Sequence, residues 1–322
     1  MSAGWAAGSV RARAMTHRRV GTGGARTVAA SGSLSAAVDL LARSPYGARV
    51  RPGDALADAA HGVRATVLWH LRVLAGWLPA GGADTVRALA GWFEIANVDE
   101  HLRALDGRGA SRPYELGSLA TAWPSLAATG SHDELRTVLT ASRWGDPGGD
   151  TAREVHLAMR LAWAARIATR APAARDWALG GAALLLAVEL FGRGLPLPAV
   201  AAARATGLLG PAWTGAGTLD ALRAALPPAG RWALADVADA RDLWRAEIGW
   251  WRRVRADSAK LTARSGFGPG PVVGAAGLLA ADAWLALAGL EAAARGYADA
   301  DGRSPSSRAG DASALEAFDA MA

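Results

Sequence analysis

The sequence predicts an all-α protein composed of three similar helical units. Of its 322 residues, 51% are hydrophobic, alanine is abundant and β-branched residues are sparse, so the local preference is strongly helical. Apolar residues recur at every third or fourth position, and no segment alternates apolar with polar residues as a half-buried strand would. A short pattern also recurs along the chain, which indicates that one helical unit is used more than once.

The recurring pattern opens at a glycine followed by serine or threonine, continues as a helical run and closes at an aromatic residue. Residues 32–47 form the first copy, and residues 130–145 repeat it with both ends at the same spacing. A weaker third copy covers residues 217–232, where Pro227-Pro228 interrupts the close and the aromatic residue lies one position out of register. A Trp-x-x-Arg step follows each copy, at Trp69 and Arg72, Trp163 and Arg166, and Trp250 and Arg253.

Taken in order, residues 1–30 form a basic segment with a helix over 6–19 and a glycine-rich loop over 21–24. Apolar residues at helical spacing predict a long helix over 54–77, which the Pro-Gly segment 79–82 ends. Further helices are predicted over 85–105, 116–126, 152–169, 177–191, 219–226, 233–263 and 274–294. A polar linker at 299–311 and a short tail helix at 312–321 follow.

These elements divide the chain into five parts. The basic segment 1–30 precedes helical units at 31–128, 129–215 and 216–298, and residues 299–322 form the linker and tail helix. The longest uncharged stretch, 265–281, is shorter than the roughly 20 residues that a membrane-spanning helix needs. The N-terminus has no apolar run behind its arginines, so we expect no signal peptide.

The charge pattern argues against a nucleic-acid partner. The chain has 35 basic residues, of which Lys260 is the only lysine, but 29 acidic residues are interspersed and the net charge is +6. Such mixing is typical of a solvated surface. Trp250 and Trp251 precede Arg252 and Arg253, but neighbouring helical residues point about 100° apart, so at most one tryptophan could face a nucleic acid. The absence of cysteine excludes disulfides and fits a cytoplasmic protein.

One set of carboxylates suggests an enzyme. Asp236, Asp239 and Asp242 would share one face of the predicted helix 233–263, as metal-binding aspartates do in an all-α isoprenoid synthase. Such an enzyme needs a second acidic cluster on a facing helix, and none is present. The six histidines are scattered, and no serine elbow or phosphate-binding loop occurs, so we expect no catalytic, cofactor-binding or metal-binding residue.

Three motifs resemble one known family, the central-stalk subunit of V/A-type ATPases, called C in prokaryotic and d in eukaryotic complexes. The stretch 10–15 resembles its N-terminal Arg-x-Arg-Ala-Met, and Ser44-Pro45-Tyr46-Gly47 is similar to its Thr/Ser-Pro-Tyr-Gly close. Residues 92–98, followed by Leu-Arg at 102–103, match its aromatic, acidic and asparagine signature. The match covers residues 8–145 and fades beyond about 195. The signature residues are Glu94, Asn97, Tyr46, Gly47, Trp144 and Gly145.

The resemblance implies a funnel of three pseudo-symmetric helical units that is not an enzyme. Such a subunit joins the rotor-shaft subunits to the membrane proteolipid ring and transmits torque in a rotary proton-translocating ATPase or ATP synthase. It would lie in the cytoplasm on the inner face of the cell membrane and would need no cofactor, nucleic acid or small-molecule substrate. Alternatives are a magnesium-dependent prenyl-diphosphate enzyme and a helical-repeat adaptor.

Specific roles follow for the polar residues of the motifs. Asn97 is expected to bond two backbone groups, and Glu94 is expected to hold an arginine of a neighbouring helix. Since a repeated unit would place the basic residues of the Trp-x-x-Arg steps at equivalent heights, Arg72, Arg166 and Arg253 are the candidate contacts to partners. The competing hypothesis is that these arginines pair with acids of their own helical bundle.

Overall fold

The computed structural model describes residues 3–296, and these residues are helical with no strand among them. The all-α prediction is therefore confirmed. The funnel and the pseudo-symmetric arrangement of three units stay predictions. The predicted linker and tail helix, residues 299–322, lie outside the described residues.

The described residues contain fifteen α-helices. The first six are α1 (Ala3–Thr16), α2 (Gly21–Ala29), α3 (Leu34–Ala42), α4 (Leu56–Gly76), α5 (Ala80–Leu89) and α6 (Gly91–Leu105). The middle group comprises α7 (Trp123–Leu126), α8 (His132–Ala141), α9 (Ala152–Arg170), α10 (Arg175–Ala187) and α11 (Ala199–Leu209). The last four are α12 (Leu219–Ala225), α13 (Pro228–Arg231), α14 (Leu243–Ala263) and α15 (Pro269–Ala294).

The chain forms two compact units. One contains the residues up to Trp77 together with the part of the chain from Trp251, and the other contains Leu78–Trp250. In the first unit α15 packs against α1, α2, α3 and α4. In the second unit α9 packs against α5, α6, α10 and α11. A cluster of buried apolar side chains fills part of the second unit: Ile95, Val98, Leu102, Leu126, Leu135, Leu139, Trp144, Val155 and Met159.

The glycine-rich segment 21–24 is not the predicted loop but the first turn of α2. The backbone N–H groups of Gly21 and of Val20, the residue before it, donate to the carboxylate of Asp282 on α15, at 2.7 and 3.1 Å. A carboxylate at a helix N-terminus satisfies N–H groups that have no partner within the helix. This contact with a residue distant in sequence favours a helix where the local composition predicts a turn.

Three other predicted helices are interrupted. The predicted helix 116–126 is a 3-10 turn at Gly117–Leu119 followed by the short helix α7. The predicted helix 85–105 is two helices, α5 and α6, which meet at Ala90. The predicted helix 233–263 begins only at Leu243, because the backbone of Asp239 is extended and its side chain accepts a bond from the N–H of Arg241 at 2.8 Å. Aspartate competes with helical bonding in this way and favours caps and turns.

Helix α11 was not predicted, although the sequence carries both of its boundary signals. Pro198 immediately precedes it, and Gly210 follows it with a φ of 80°. Proline near a helix start and a left-handed glycine after its end are common helix boundaries. The alanine-rich interval between them belongs to a helix for that reason.

Helix α15 is the one helix in residues 3–296 that is long and apolar enough to cross a membrane. The sequence-based expectation was wrong about length, because the helix continues beyond Asp282, where the uncharged stretch ends. Its most apolar window has a mean hydropathy of 1.7, and 78% of that window is buried inside the protein. Such burial is typical of the core helix of a compact unit.

Close packing of α15 against α14 predicts a strong effect of one methyl group. A Cβ at Gly274 would lie 2.6 Å from the backbone oxygen of Ser258 and 2.9 Å from Cβ of Leu261. We expect Gly274→Ala to lower the free energy of unfolding by about 1–3 kcal/mol, because overpacking forces a backbone shift. Urea unfolding followed by far-UV circular dichroism measures the change.

Gly270→Ala is the matched control on the same helix, because its nearest neighbour would be 3.8 Å away. We expect that variant to match or exceed the wild type in stability, by up to about 1 kcal/mol, since alanine is the better helix former. Equal effects of the two substitutions would contradict close packing at Gly274.

Candidate functional site

The closing turns of the first two copies make the same hydrogen bonds. In the first, Ser44 Oγ donates to Leu41 O at 2.7 Å and accepts from Tyr46 N at 3.1 Å. In the second, Ser142 Oγ donates to the corresponding carbonyl, Leu139 O, at 2.7 Å and accepts from Trp144 N at 3.0 Å. The serine therefore satisfies a helix-end carbonyl and starts the turn that directs the aromatic side chain into the core.

Each of these turns also requires glycine, for two different reasons. A Cβ at Gly47 would lie 2.0 Å from the backbone oxygen of Ala42, so the chain passes too close for any side chain. Gly145 has a φ of 71°, a left-handed conformation that side chains rarely adopt. The glycines of the two aromatic-glycine pairs are thus required by the backbone.

The aromatic residue of the second copy bonds a buried carboxylate. Trp144 Nε1 donates to Glu94 Oε1 at 3.1 Å, and both side chains are 1% exposed. The carboxylate also accepts the backbone N–H groups of Thr121 and Ala122, each at 2.6 Å. Glu94 therefore does not hold an arginine as predicted, because two backbone donors and an indole occupy its oxygens. This set of bonds joins α6, the chain before α7 and the turn after α8.

The aromatic residue of the first copy bonds a second buried carboxylate. Tyr46 Oη donates to Asp282 Oδ2 at 2.8 Å, and Asp282 also accepts the N–H groups of Val20 and Gly21. Burial raises the pKa of Asp282, and these hydrogen bonds partly oppose the rise. Burial also raises the pKa of Tyr46, with the Asp282 charge as the second cause. We call these two sets of bonds the Glu94 node and the Asp282 node.

Asp282 was missed in the sequence analysis, although a signal for it exists. It is the one charged residue between Arg264 and Glu291, in an otherwise apolar and glycine-rich segment. A lone carboxylate in such a helix must be paired or hydrogen-bonded, because burying an unpaired charge is costly. Its partners Tyr46 and Gly21 lie more than 230 residues away, so the sequence gives no indication of which groups they are.

The third copy keeps the opening of the pattern and changes its close. Thr218 Oγ1 accepts from Ala221 N at 3.1 Å, as Ser33 and Ser131 do at the starts of α3 and α8. At the close, the guanidinium of Arg231 donates to Leu226 O at 2.8 Å. Trp232 Nε1 donates to the nearby carbonyl of Ala229 rather than to a carboxylate.

Asn97 and Glu189 hold neighbouring segments in different ways. The Asn97 amide accepts from Tyr114 N at 2.7 Å and donates to Tyr114 O at 2.9 Å, so its expected pairing with two backbone groups is confirmed. Glu189 lies in a π-helical turn after α10, is 1% exposed and forms ion pairs with Arg153 and Arg193, both at 2.7 Å. Glu189 therefore has the arginine contacts that were predicted for Glu94.

The three candidate contact arginines occupy different environments. Arg166 lies with its Cζ 4.6 Å from the ring centre of Trp144 and donates to Thr121 Oγ1 at 3.0 Å. Burial lowers its pKa, and the Glu94 charge partly offsets that effect. Arg253 is 46% exposed and pairs with Asp257 at 2.8 Å, whereas Arg72 is half-buried on α4. Arg166 thus borders the Glu94 node, and Arg253 is the most accessible of the three.

The aspartates proposed for a magnesium enzyme do not share a helical face. Asp236 lies in a turn, Asp239 caps the turn at Ala240–Asp242, and α14 begins only after that turn. Asp239 pairs with Arg241 at 2.9 Å, and this hydrogen-bonded pair lowers its pKa to about 2. Within residues 3–296 no three histidine, aspartate or glutamate side chains converge as a metal site would require.

The chemistry of the two nodes is structural. The polar atoms of the two nodes form hydrogen bonds with one another or with backbone N–H groups of the protein. This holds for Tyr46 with Asp282 and for Trp144 with Glu94. Neither a family model nor a curated protein matches the chain. The family resemblance of its motifs therefore remains a prediction.

The Glu94 node predicts a large effect of Trp144→Phe. The substitution removes the indole N–H that bonds Glu94 and leaves a void in the core, so we expect a loss of about 2–4 kcal/mol. Trp77→Phe is the control, because Trp77 is 53% exposed and its change should stay within about 0.5 kcal/mol. Chemical unfolding measures both, and similar small effects would contradict the assigned role of Trp144.

The Asp282 node predicts the pH dependence of stability. Because the folded-state pKa of Asp282 is raised above 3.8, the folded protein binds a proton that the unfolded chain has lost. That contribution is fully present below pH 3.8 and is lost as pH rises through the folded pKa. The loss of stability caused by Asp282→Asn should therefore be greatest at acidic pH and smaller at neutral pH. Unfolding curves across that range test the sign, and a loss that grows with pH would contradict it.

Proposed function

We propose that this chain is the non-catalytic central-stalk subunit of a V/A-type rotary ATPase or ATP synthase. In this role it joins the rotor-shaft subunits to the membrane proteolipid ring on the cytoplasmic face and transmits torque. It needs no cofactor and no small-molecule substrate for that role. Torque transmission demands a rigid body whose helices do not slide past one another, and the proposal rests on features that prevent such sliding.

The observation that carries the proposal is that the polar residues of the matched motifs are used for internal bonding. Tyr46, Glu94 and Asn97 are buried, and each bonds a segment at least 17 residues away in the chain. Catalytic residues instead keep reactive atoms open to a substrate in a cleft. A motif whose polar residues are buried and hydrogen-bonded within the protein favours a scaffold protein over an enzyme.

The recurring pattern gives a second line of support. Two copies share a capped helix start, a serine-bonded helix end and an aromatic donor to a buried carboxylate. The third copy shares the capped start. A pattern shared in this way favours descent from one repeated helical unit, which is the organisation that the family resemblance implies. A helical-repeat adaptor has the same features, so partner binding must distinguish the two.

A further arginine suits partner contact better than Arg166. Arg160 on α9 is solvent-exposed and makes no ion pair or hydrogen bond within residues 3–296. Burial nevertheless lowers its pKa, and Asp99 and Glu247 partly offset the effect. We therefore add Arg160 to Arg72 and Arg253 as a candidate contact to acidic groups of the shaft.

The proposal predicts salt-sensitive binding to purified rotor-shaft subunits. We expect the wild type to bind the shaft subunits. The Arg160→Ala and Arg253→Ala variants should bind them up to about fivefold more weakly at low salt, since exposed ion pairs contribute about 0.2–1 kcal/mol. The difference should shrink at high salt, where exposed charges are screened. Titration by surface plasmon resonance or calorimetry measures these affinities.

Arg295→Ala is the matched control for Arg253→Ala. Arg295 is 48% exposed and pairs with Glu291 at 2.8 Å four positions away, as Arg253 pairs with Asp257. Its removal changes the net charge equally but lies outside the Trp-x-x-Arg steps. Equal effects of the two variants would remove Arg253 from the interface. If the wild type binds neither the shaft subunits nor the proteolipid ring, the rotary assignment is overturned. The helical-repeat adaptor is then the remaining proposal for a non-catalytic protein.

A further inference from the structure

An unusual group of basic side chains lies where α1 packs against α4 in the first unit. His70 on α4 is 3% exposed, and Nδ1 of its ring is buried without a hydrogen-bond partner within residues 3–296. Nε of Arg11 on α1 is also buried without a hydrogen-bond partner. Buried polar atoms are hydrogen-bonded in the great majority of cases, so two unpartnered nitrogen atoms on adjoining helices require an explanation.

The charges around His70 are positive. Burial, and after it the positive charges of Arg18 and Arg11, together lower its pKa to about 4. On α15, which also packs against α4, Asp282 is bonded to Tyr46 and Glu291 is paired with Arg295. The other charged residues of α4 are Asp58, Arg64 and Arg72. The group therefore has basic donors and, within residues 3–296, no carboxylate paired with them.

We propose that Arg11, Arg18 and His70 form a binding site for a phosphate group. Arginine forks match the oxygens of a tetrahedral oxyanion, and a protonated imidazole adds a further charged donor. Exposed Arg18 provides the approach from solvent, and His70 forms the floor of the site. This inference is independent of the rotary role, because it concerns the ligand of one unit and not a protein partner.

Two sources of phosphate fit the surface around the site. A free phosphate ion reaches it directly through Arg18. A phospholipid headgroup reaches it with help from the neighbouring apolar side chains: Val10 beside Arg11 is 59% exposed, and Trp69 beside His70 is 40% exposed with its ring centre 5.0 Å from that of His70. Tryptophan favours the membrane–water interface, where its ring contacts both apolar and polar groups.

Histidine-selective NMR of the full chain tests the site in the wild type. An anion favours the protonated imidazole, so inorganic phosphate should raise the pKa of His70 from about 4 towards its ordinary 6.5. Chloride at equal ionic strength is the reference. His101, bonded to Thr129, and His156, paired with Asp99, are internal controls that should not move. A His70→Gln variant assigns the signal.

Substitutions test which side chains hold the anion. Arg11→Gln should weaken the apparent affinity for inorganic phosphate about tenfold or more, because it removes a charge-assisted hydrogen bond. Arg43→Gln is the control, since Arg43 is an exposed arginine at the end of α3. Circular dichroism checks the fold of each variant, and the wild-type titration decides the question if Arg11→Gln does not fold.

Sedimentation with vesicles distinguishes the two sources. If the headgroup is the ligand, phosphatidylcholine vesicles containing phosphatidic acid should bind the wild type better than phosphatidylcholine alone, and Arg11→Gln should lose the difference. A His70 response to inorganic phosphate without vesicle binding would identify the free ion. A His70 pKa that is equal in phosphate and chloride, together with equal binding to both vesicles, would overturn the proposal.

Discussion

A carboxylate buried among helices constrains the rest of the fold, because its charge must be matched by donors at fixed positions. At the Glu94 node an indole N–H and two consecutive backbone N–H groups supply those donors. The Asp282 node uses a phenol and two consecutive backbone N–H groups. Helix packing alone tolerates small shifts, whereas a carboxylate with three donors has one acceptable position.

Buried ionic groups of this kind contribute more to specificity than to stability. A hydrogen bond to a charged group is worth about 1.5–3 kcal/mol net, and desolvation of the carboxylate offsets part of that gain. An apolar replacement of similar volume would give comparable stability in many proteins, but without fixing the position of one segment against another. The raised pKa of Asp282 is consistent with this view, because its burial costs more than its three bonds return.

The sequence predicted the features that depend on neighbouring residues. The helix starts after Gly32 and Gly130 and the aromatic-glycine closes follow from local spacing, and the structure contains helices α3 and α8 with the turns that close them. The two backbone bonds expected for Asn97 are also present, with Tyr114 as the partner. The sequence-based prediction failed where a distant residue decides the outcome: Asp282 on α15 bonds the start of α2, so the glycine-rich segment 21–24 is helical. The row of three aspartates failed because Asp239 caps a turn instead of continuing a helix.

Helix α15 shows why a lone carboxylate matters in a core of this composition. Its buried surface is largely alanine, glycine, leucine and valine, and small side chains allow close approach but distinguish one register poorly from the next. Sliding the helix by one turn, about 5.4 Å, would replace many of its contacts with similar ones. The same movement would carry Asp282 away from Tyr46 and from the N–H groups of α2 and leave a buried charge without donors. Asp282 therefore selects the register of the most apolar helix of the first unit, and Glu94 holds α6 in the second unit by the same means.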